Sequence, residues 1–267
     1  MRRFFQAWFE GYTSEMRRLV PPNDEDTLDE FDMKVEHTYK VRDEAEDIAR
    51  WLGLEGRYFE TASLCGLFHD LGRFEQAVRF GSMDDKITGS HADWSEYVFN
   101  EKVPKDLLTV EERELIASAL RYHNLFALPD GLDEKTLRYA QLTRDADKLD
   151  IFRHVLALRE EKEKRKFRFV QYETEGDLRT ELFEAVMRGE NLNSSCVKTR
   201  TDRLLLEISL VFDLCFGISF QKTLDMRFVE RRLRVDPLEK EKASYDERLL
   251  WLTESVLAYM RERTGYL

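Results

Sequence analysis

The sequence predicts an all-α protein, on three observations. Apolar residues recur at helical period along nearly every segment. The 267 residues include only 12 Gly and 5 Pro, too few for a loop-rich all-β chain. No period-2 stretch is strong enough for a sheet; Phe167-Arg168-Phe169-Val170 and Gly217 to Phe220 are the only candidates for short extended pieces. With no internal repeat and no low-complexity linker, residues 1–267 read as a single all-helical domain.

The elements follow in order. Phe4, Phe5, Trp8, Phe9, Tyr12, Met16 and Leu19 form one apolar stripe, and Pro21-Pro22 stops that helix. A second helix runs from about Asp29 to Leu52, with Gly53 as its C-cap and His37 near its start. A third, about Tyr58 to Leu71, is expected to end at Gly72 with His69-Asp70 in its last turn. Phe80 to Gly89 reads as a loop, after which Ser90 caps a helix opened by His91. Thr109 with Glu112 makes a capping box for a helix reaching about His123. Pro129-Asp130-Gly131 is a turn, and Asp133 caps a long helix through Asp147 to about Arg165. Its end, Arg159 to Lys166, is a mixed-charge run that reads as a solvated extension. Four more helices are expected at roughly Glu175–Arg188, Asp202–Phe216, Thr223–Arg234 and Tyr245–Arg263, the last opened by Ser244 with Glu247.

Composition narrows the function classes. The chain is 42% hydrophobic and 36% charged, as a globular protein is, and its net charge is -11. So acidic a surface disfavours nonspecific binding of large nucleic acids, which needs a basic stripe, and none is expected as a partner. A small phosphorylated ligand stays compatible, because a metal can supply positive field locally. Glu10 and Glu15 interrupt any signal-peptide core, and Glu207 and Asp213 interrupt the most apolar stretch, Leu204 to Phe220. Cys65, Cys196 and Cys215 form no C-x-x-C pair and sit in apolar contexts, as reduced buried thiols do. The expectation is a cytoplasmic protein with no membrane association. The aromatic N-terminal stripe reads as core or as a homodimer contact.

Four of the five histidines fall in one ordered series: His37, then His69-Asp70 within Cys65-Gly66-Leu67-Phe68-His69-Asp70-Leu71-Gly72-Arg73-Phe74, then His91, His123 and Asp147. Neutral imidazole and carboxylate suit a borderline divalent cation. His154 lies outside the series. Asp145 and Asp150 read as supporting groups or salt-bridge partners, with Asp145 the alternative to Asp147 in the series, and Asp84 and Asp85 as a charged loop that could cover the site.

The order His…His-Asp…Asp resembles the HD superfamily of metal-dependent phosphohydrolases. The matching residues are His37 in Val35-Glu36-His37-Thr38, the His69-Asp70 pair, and Asp147 in Asp145-Ala146-Asp147-Lys148-Leu149, similar to the family's Ala-Asp-Lys/Arg-Leu ending. His91 and His123 match the two additional histidines of the binuclear branch. The resemblance implies an HD-domain helical bundle over about residues 30–160, with a helical C-terminal extension over about 170–267. It implies one or two divalent ions (Fe, Mn, Ni, Zn, Co or Mg). Asp70 would be shared between two ions, with His37, His69 and Asp147 completing the first site and His91 and His123 the second. Should His91 and His123 be a first-turn surface histidine and a C-terminal capping histidine instead, the site is mononuclear.

Arg73 lies as in the family's His-Asp-x-Gly-Lys/Arg motif and is expected to clamp phosphate, ahead of Lys148, which follows Asp147. The implied activity is hydrolysis of a small phosphate ester or nucleotide by metal-activated water. The same ligand inventory is that of the superfamily's di-iron oxygenases, similar to myo-inositol oxygenase, which is the alternative. A ligand sensor that kept the fold is a third, although a sensor has no need of all six ligands.

Overall fold

The helical period is realised along the described residues. A computed structural model describes residues 1–160, 176–233 and 247–265, and these form helices and turns with no strand among them. None of the described helices is long and apolar enough to cross a membrane. The chain divides into two compact units, Met1–Asp150 and Ile151–Leu267.

The first unit contains α1 (Arg2–Leu19), α2 (Glu25–Trp51), α3 (Gly56–Phe68), α4 (Leu71–Phe80), α5 (Asp85–Thr88), α6 (His91–Lys102), α7 (Val110–Tyr122) and the part of α8 (Glu134–Glu160) up to Asp150. α1 buries Phe5, Phe9, Tyr12 and Met16 but leaves Phe4 and Leu19 at the surface. Its rings enter an aromatic layer. Phe5 meets Phe68, Phe9 and Phe31 meet Phe74, and Phe68 meets Phe99, with centroids 4.7–5.8 Å apart. Edge-on and tilted rings at such spacing add to the area they bury.

Two expectations about this unit are corrected. α2 starts at Glu25, because the Asp24 side chain accepts from the Thr27 N–H and caps the helix there; His37 is therefore mid-helix. The third predicted helix is two. α3 ends at Phe68, Asp70 leaves helical geometry at φ −108° and ψ 20°, and α4 begins at Leu71, so His69-Asp70 is the joint between two helices. Gly72 does not stop a helix; it lies in the first turn of α4. A Cβ there would come within 2.4 Å of the His91 carbonyl oxygen and 2.5 Å of the Ser95 nitrogen. The bare backbone lets the starts of α4 and α6 touch. Gly66 does the same for α3 and α2, where a Cβ would meet the Arg42 Cα at 2.8 Å.

The other starts follow their signals. Ser90 accepts from Asp93 N–H at the head of α6, Thr109 and Glu112 close a capping box on α7, and Asp133 accepts from Lys135 and Thr136 N–H at α8. The segment read as a loop from Phe80 contains the end of α4 and the single turn α5. It is bounded by Gly81 and Gly89, both at positive φ (61° and 80°).

The second unit holds the rest of α8, α9 (Thr180–Met187), α10 (Arg200–Ser209), α11 (Gly217–Asp225), α12 (Phe228–Leu233) and α13 (Glu247–Arg263), with 3-10 turns at Ser194–Cys196 and Leu210–Asp213. Its core gathers Phe152, Leu205, Ile208, Val211, Phe220, Phe228, Leu252 and Met260; Phe152 and Phe228 stack at 4.2 Å. The helix expected over Asp202–Phe216 ends at Ser209 and tightens into the 3-10 turn. Gly217 to Phe220 is the start of α11, not an extended piece. The helix expected from Thr223 is interrupted between α11 and α12, where Arg227 takes φ 53°. Phe167–Val170, the end of α8 expected at Arg165 and the Ser244 cap lie outside the described residues. Cys65 is buried, whereas Cys196 and Cys215 are half-buried, and all three are free thiols.

Candidate metal centre

Asp70, at the joint of α3 and α4, is the centre of the first unit's buried polar cluster, and its two oxygens face different histidine pairs. Oδ2 lies 3.6 Å from His37 Nε2 and 3.4 Å from His69 Nε2. Oδ1 lies 3.6 Å from His91 Nε2 and 3.8 Å from His123 Nε2. Within each pair the Nε2 atoms face one another, at 3.2 Å for His37 and His69 and 3.0 Å for His91 and His123. Asp147 Oδ1 joins the first pair, 3.1 Å from His37 Nε2 and 3.8 Å from His69 Nε2. The structure thus brings together all six residues read as ligands. His37, His69 and Asp70, and Asp70, His91 and His123, form two buried groups that could each hold a metal ion.

The outer nitrogens explain why the inner ones point inward. His37 Nδ1 donates to Asp150 Oδ2 at 2.7 Å, and His91 Nδ1 to Asp85 Oδ2 at 2.5 Å. His69 and His123 each end a helix, and each donates Nδ1 to the carbonyl three residues back, Gly66 at 2.8 Å and Leu120 at 2.6 Å. A carbonyl or carboxylate only accepts, so every Nδ1 carries the proton and every Nε2 of a neutral ring presents a lone pair. Two lone pairs face each other in each pair, which is unfavourable unless a cation or proton lies between them. Backing of the outer nitrogen by carboxylate or carbonyl is also how metal-bound imidazoles are oriented. Asp70 Oδ1 is buried with no hydrogen-bond partner. An orphaned carboxylate oxygen facing two imidazole lone pairs fits a divalent ion.

The charge states follow from the same contacts. Burial opposes ionisation of Asp70, but Lys34, His69 and His91 hold it well below the usual carboxylate range. Asp147 is likewise lowered against burial, by His37 and His69. Burial and Lys34 act to lower His37, and its bonds to Asp147 and Asp150 outweigh them, leaving it above the ordinary histidine value. Burial and Arg73 lower His91; burial, with His91 and His69 near, lowers His123 to about 3.

The expected phosphate cations are less uniform. Arg73 Nη1 is committed to the Met83 carbonyl and to Asp85 Oδ1, the latter at 2.8 Å. Its Nε is buried without a partner, 3.8 Å from Asp70 Oδ1. Lys148 is buried and directed at the Arg144 carbonyl, 3.5 Å away.

Sequence reasoning missed two residues. Lys34 donates to Asp70 Oδ2 at 2.6 Å; its signal was a lysine one turn before His37 on the same face. Asp85, read as part of a charged loop that could cover the site, instead bonds His91 and Arg73 directly; its signal was a short polar segment ending at a candidate ligand histidine. Scans against family models, curated proteins and solved structures find no match to this chain, so the chemistry of the site rests on its own geometry.

Proposed function

We propose that this chain is a divalent-metal phosphohydrolase of the HD type, acting on a small phosphate ester or nucleotide at a two-ion site centred on Asp70. The observation that carries the reading is the division of one carboxylate between two inward-facing histidine pairs, with every outer nitrogen already bonded. His37, His69 and Asp147 would hold one ion, His91 and His123 the other, and Asp70 both. Ions held there would polarise a phosphoryl oxygen and make a water acidic enough to supply hydroxide near neutral pH.

The chain's own groups do the rest. Asp150 and Asp85 keep the imidazoles in the Nδ1–H tautomer, so that no ligand lone pair is lost to the wrong protonation. Burial of the four histidines and Asp70 strengthens their attraction for developing charge, because competing water is thinned out, while Asp147 keeps partial exposure. Arg73 Nε is a free donor beside Asp70, placed to bond a phosphate oxygen while Nη1 stays anchored. The net charge of -11 favours a small substrate over a polynucleotide.

The test is metal identity and stoichiometry in protein purified without a metal-binding tag, followed by phosphate release from a panel of nucleotides and phosphomonoesters. Metal retention and chelator-sensitive release are expected. Absence of both overturns the reading. Oxygen consumption with iron bound and no phosphate release replaces it with the di-iron oxygenase.

A further inference from the structure

Lys34 is the group at this centre whose position a bound ion would contest. Its ammonium sits 2.6 Å from Asp70 Oδ2, the same oxygen that faces His37 and His69 at 3.6 and 3.4 Å. The ammonium therefore occupies the neighbourhood of the first ion's donor set. An ammonium and a dication beside one carboxylate oxygen repel, and burial makes the repulsion stronger than it would be in water. Lys34 is free to yield. It ends a flexible four-carbon stem on α2 and is 17% exposed, so a path outward exists. Arg73 has no such freedom, because Nη1 is bonded to the Met83 carbonyl and to Asp85.

We propose that Lys34 is a substrate-phosphate ligand that is released for that role by metal loading: it neutralises Asp70 in the metal-free protein and turns to the anion held at the ions once they claim Asp70. This rests on the two-ion reading above. It gives the site one fixed cation, Arg73, and one that moves. It also means that phosphate affinity is acquired only after metal, since before that the ammonium is spent on Asp70.

The proposal predicts two effects of opposite sign from one substitution. Lys34→Met removes a competing cation, so Mn2+ should bind more tightly in isothermal titration. The same variant, loaded with Mn2+, should bind inorganic phosphate roughly ten- to a hundredfold more weakly, as expected for a lost charge-assisted hydrogen bond. Lys34→Arg should recover phosphate binding. A merely structural lysine would weaken both ligands together. In the wild-type protein, acetylation of Lys34 followed by mass spectrometry should rise when Mn2+ is added and fall again when phosphate follows. Weaker Mn2+ binding in Lys34→Met, unchanged phosphate affinity, or labelling indifferent to Mn2+ would each overturn the role of Lys34 while leaving the two-ion reading standing. Failure of the wild-type protein to bind Mn2+ at all would instead remove the reading on which it rests.

Discussion

The two halves of the centre use the same donors on unequal supports. Each pairs one histidine backed by a carboxylate with one that ends a helix and is backed by the carbonyl three residues earlier. Each pair is separated by 32 residues. The supports differ. His37 lies in the middle of the 27-residue α2, and its backing residue, Asp150, lies on α8, also 27 residues long. His91 is the first residue of α6, and its backing residue, Asp85, lies on a single turn of four residues between two positive-φ glycines. Long helices fix a side chain through many bonds and packed neighbours, whereas an isolated turn opens at low cost. By that argument the first half is expected to be the more rigid site and the second the more adjustable one. Electrostatics separates them too, since His37 is raised above the ordinary histidine value while burial lowers both His91 and His123.

The largest effect is expected where the halves meet. Asp70→Ala should abolish both ions, measured as metal per chain after dialysis. Retention of one ion by Asp70→Ala would show that one half stands without the shared carboxylate. Next come variants confined to one half. His37→Ala and His123→Ala should each lower the content from two ions to one. Competition with a graded chelator should then rank the ion left in His123→Ala as the tighter. If the remaining ions are equal, the supports do not matter.

A smaller effect is expected from the backing carboxylates. Asp150→Asn should weaken the first ion and Asp85→Asn the second, each by about 10–100-fold, the usual cost of losing a residue that orients a metal-bound histidine. Titration of the opposite ion should be unchanged in each. Loss of both ions in either variant would mean that the halves are one cooperative site.

The sequence shows the candidate ligands more clearly than their supports, for a physical reason. A candidate ligand announces itself by residue type, so the set His37, His69, Asp70, His91, His123 and Asp147 that the fold brings together was legible, and the capping signals at Ser90, Thr109 and Asp133 placed three of the helices that carry them. The joint at His69-Asp70 was not legible. Gly72 reads as a helix stop by composition, and only the approach of α6 shows that it is needed for contact. Asp85 was missed because its role depends on a tertiary neighbour, His91, reached across a turn too short to have a period. Lys34 was missed for a related reason. Its one mark, standing a turn before His37, is shared by any lysine on a solvated helix face, and its partner is 36 residues away. The break between α10 and α11 shows the same limit in the second unit, where the most apolar stretch of the chain is divided by a 3-10 turn that no residue type announces.

The smallest expected effect is the sharpest test of unequal support, because it touches neither ligands nor their partners. Asp84 caps α5: its side chain accepts from the Lys86 N–H at 2.9 Å. Replacing an N-cap aspartate by alanine costs about 0.5–2 kcal/mol of local helix stability. α5 has no second turn to absorb that cost, so the turn carrying Asp85 should open more often, and each opening removes the acceptor from His91 Nδ1. Asp84→Ala should then weaken the second ion by less than about tenfold and leave the first unmoved. Amide exchange should quicken between Gly81 and Gly89 and stay constant in α2. Unchanged exchange in that segment would show α5 to be held by its inward bonds rather than by its cap. Weakening of the first ion by Asp84→Ala would show that the rigid half also depends on this turn.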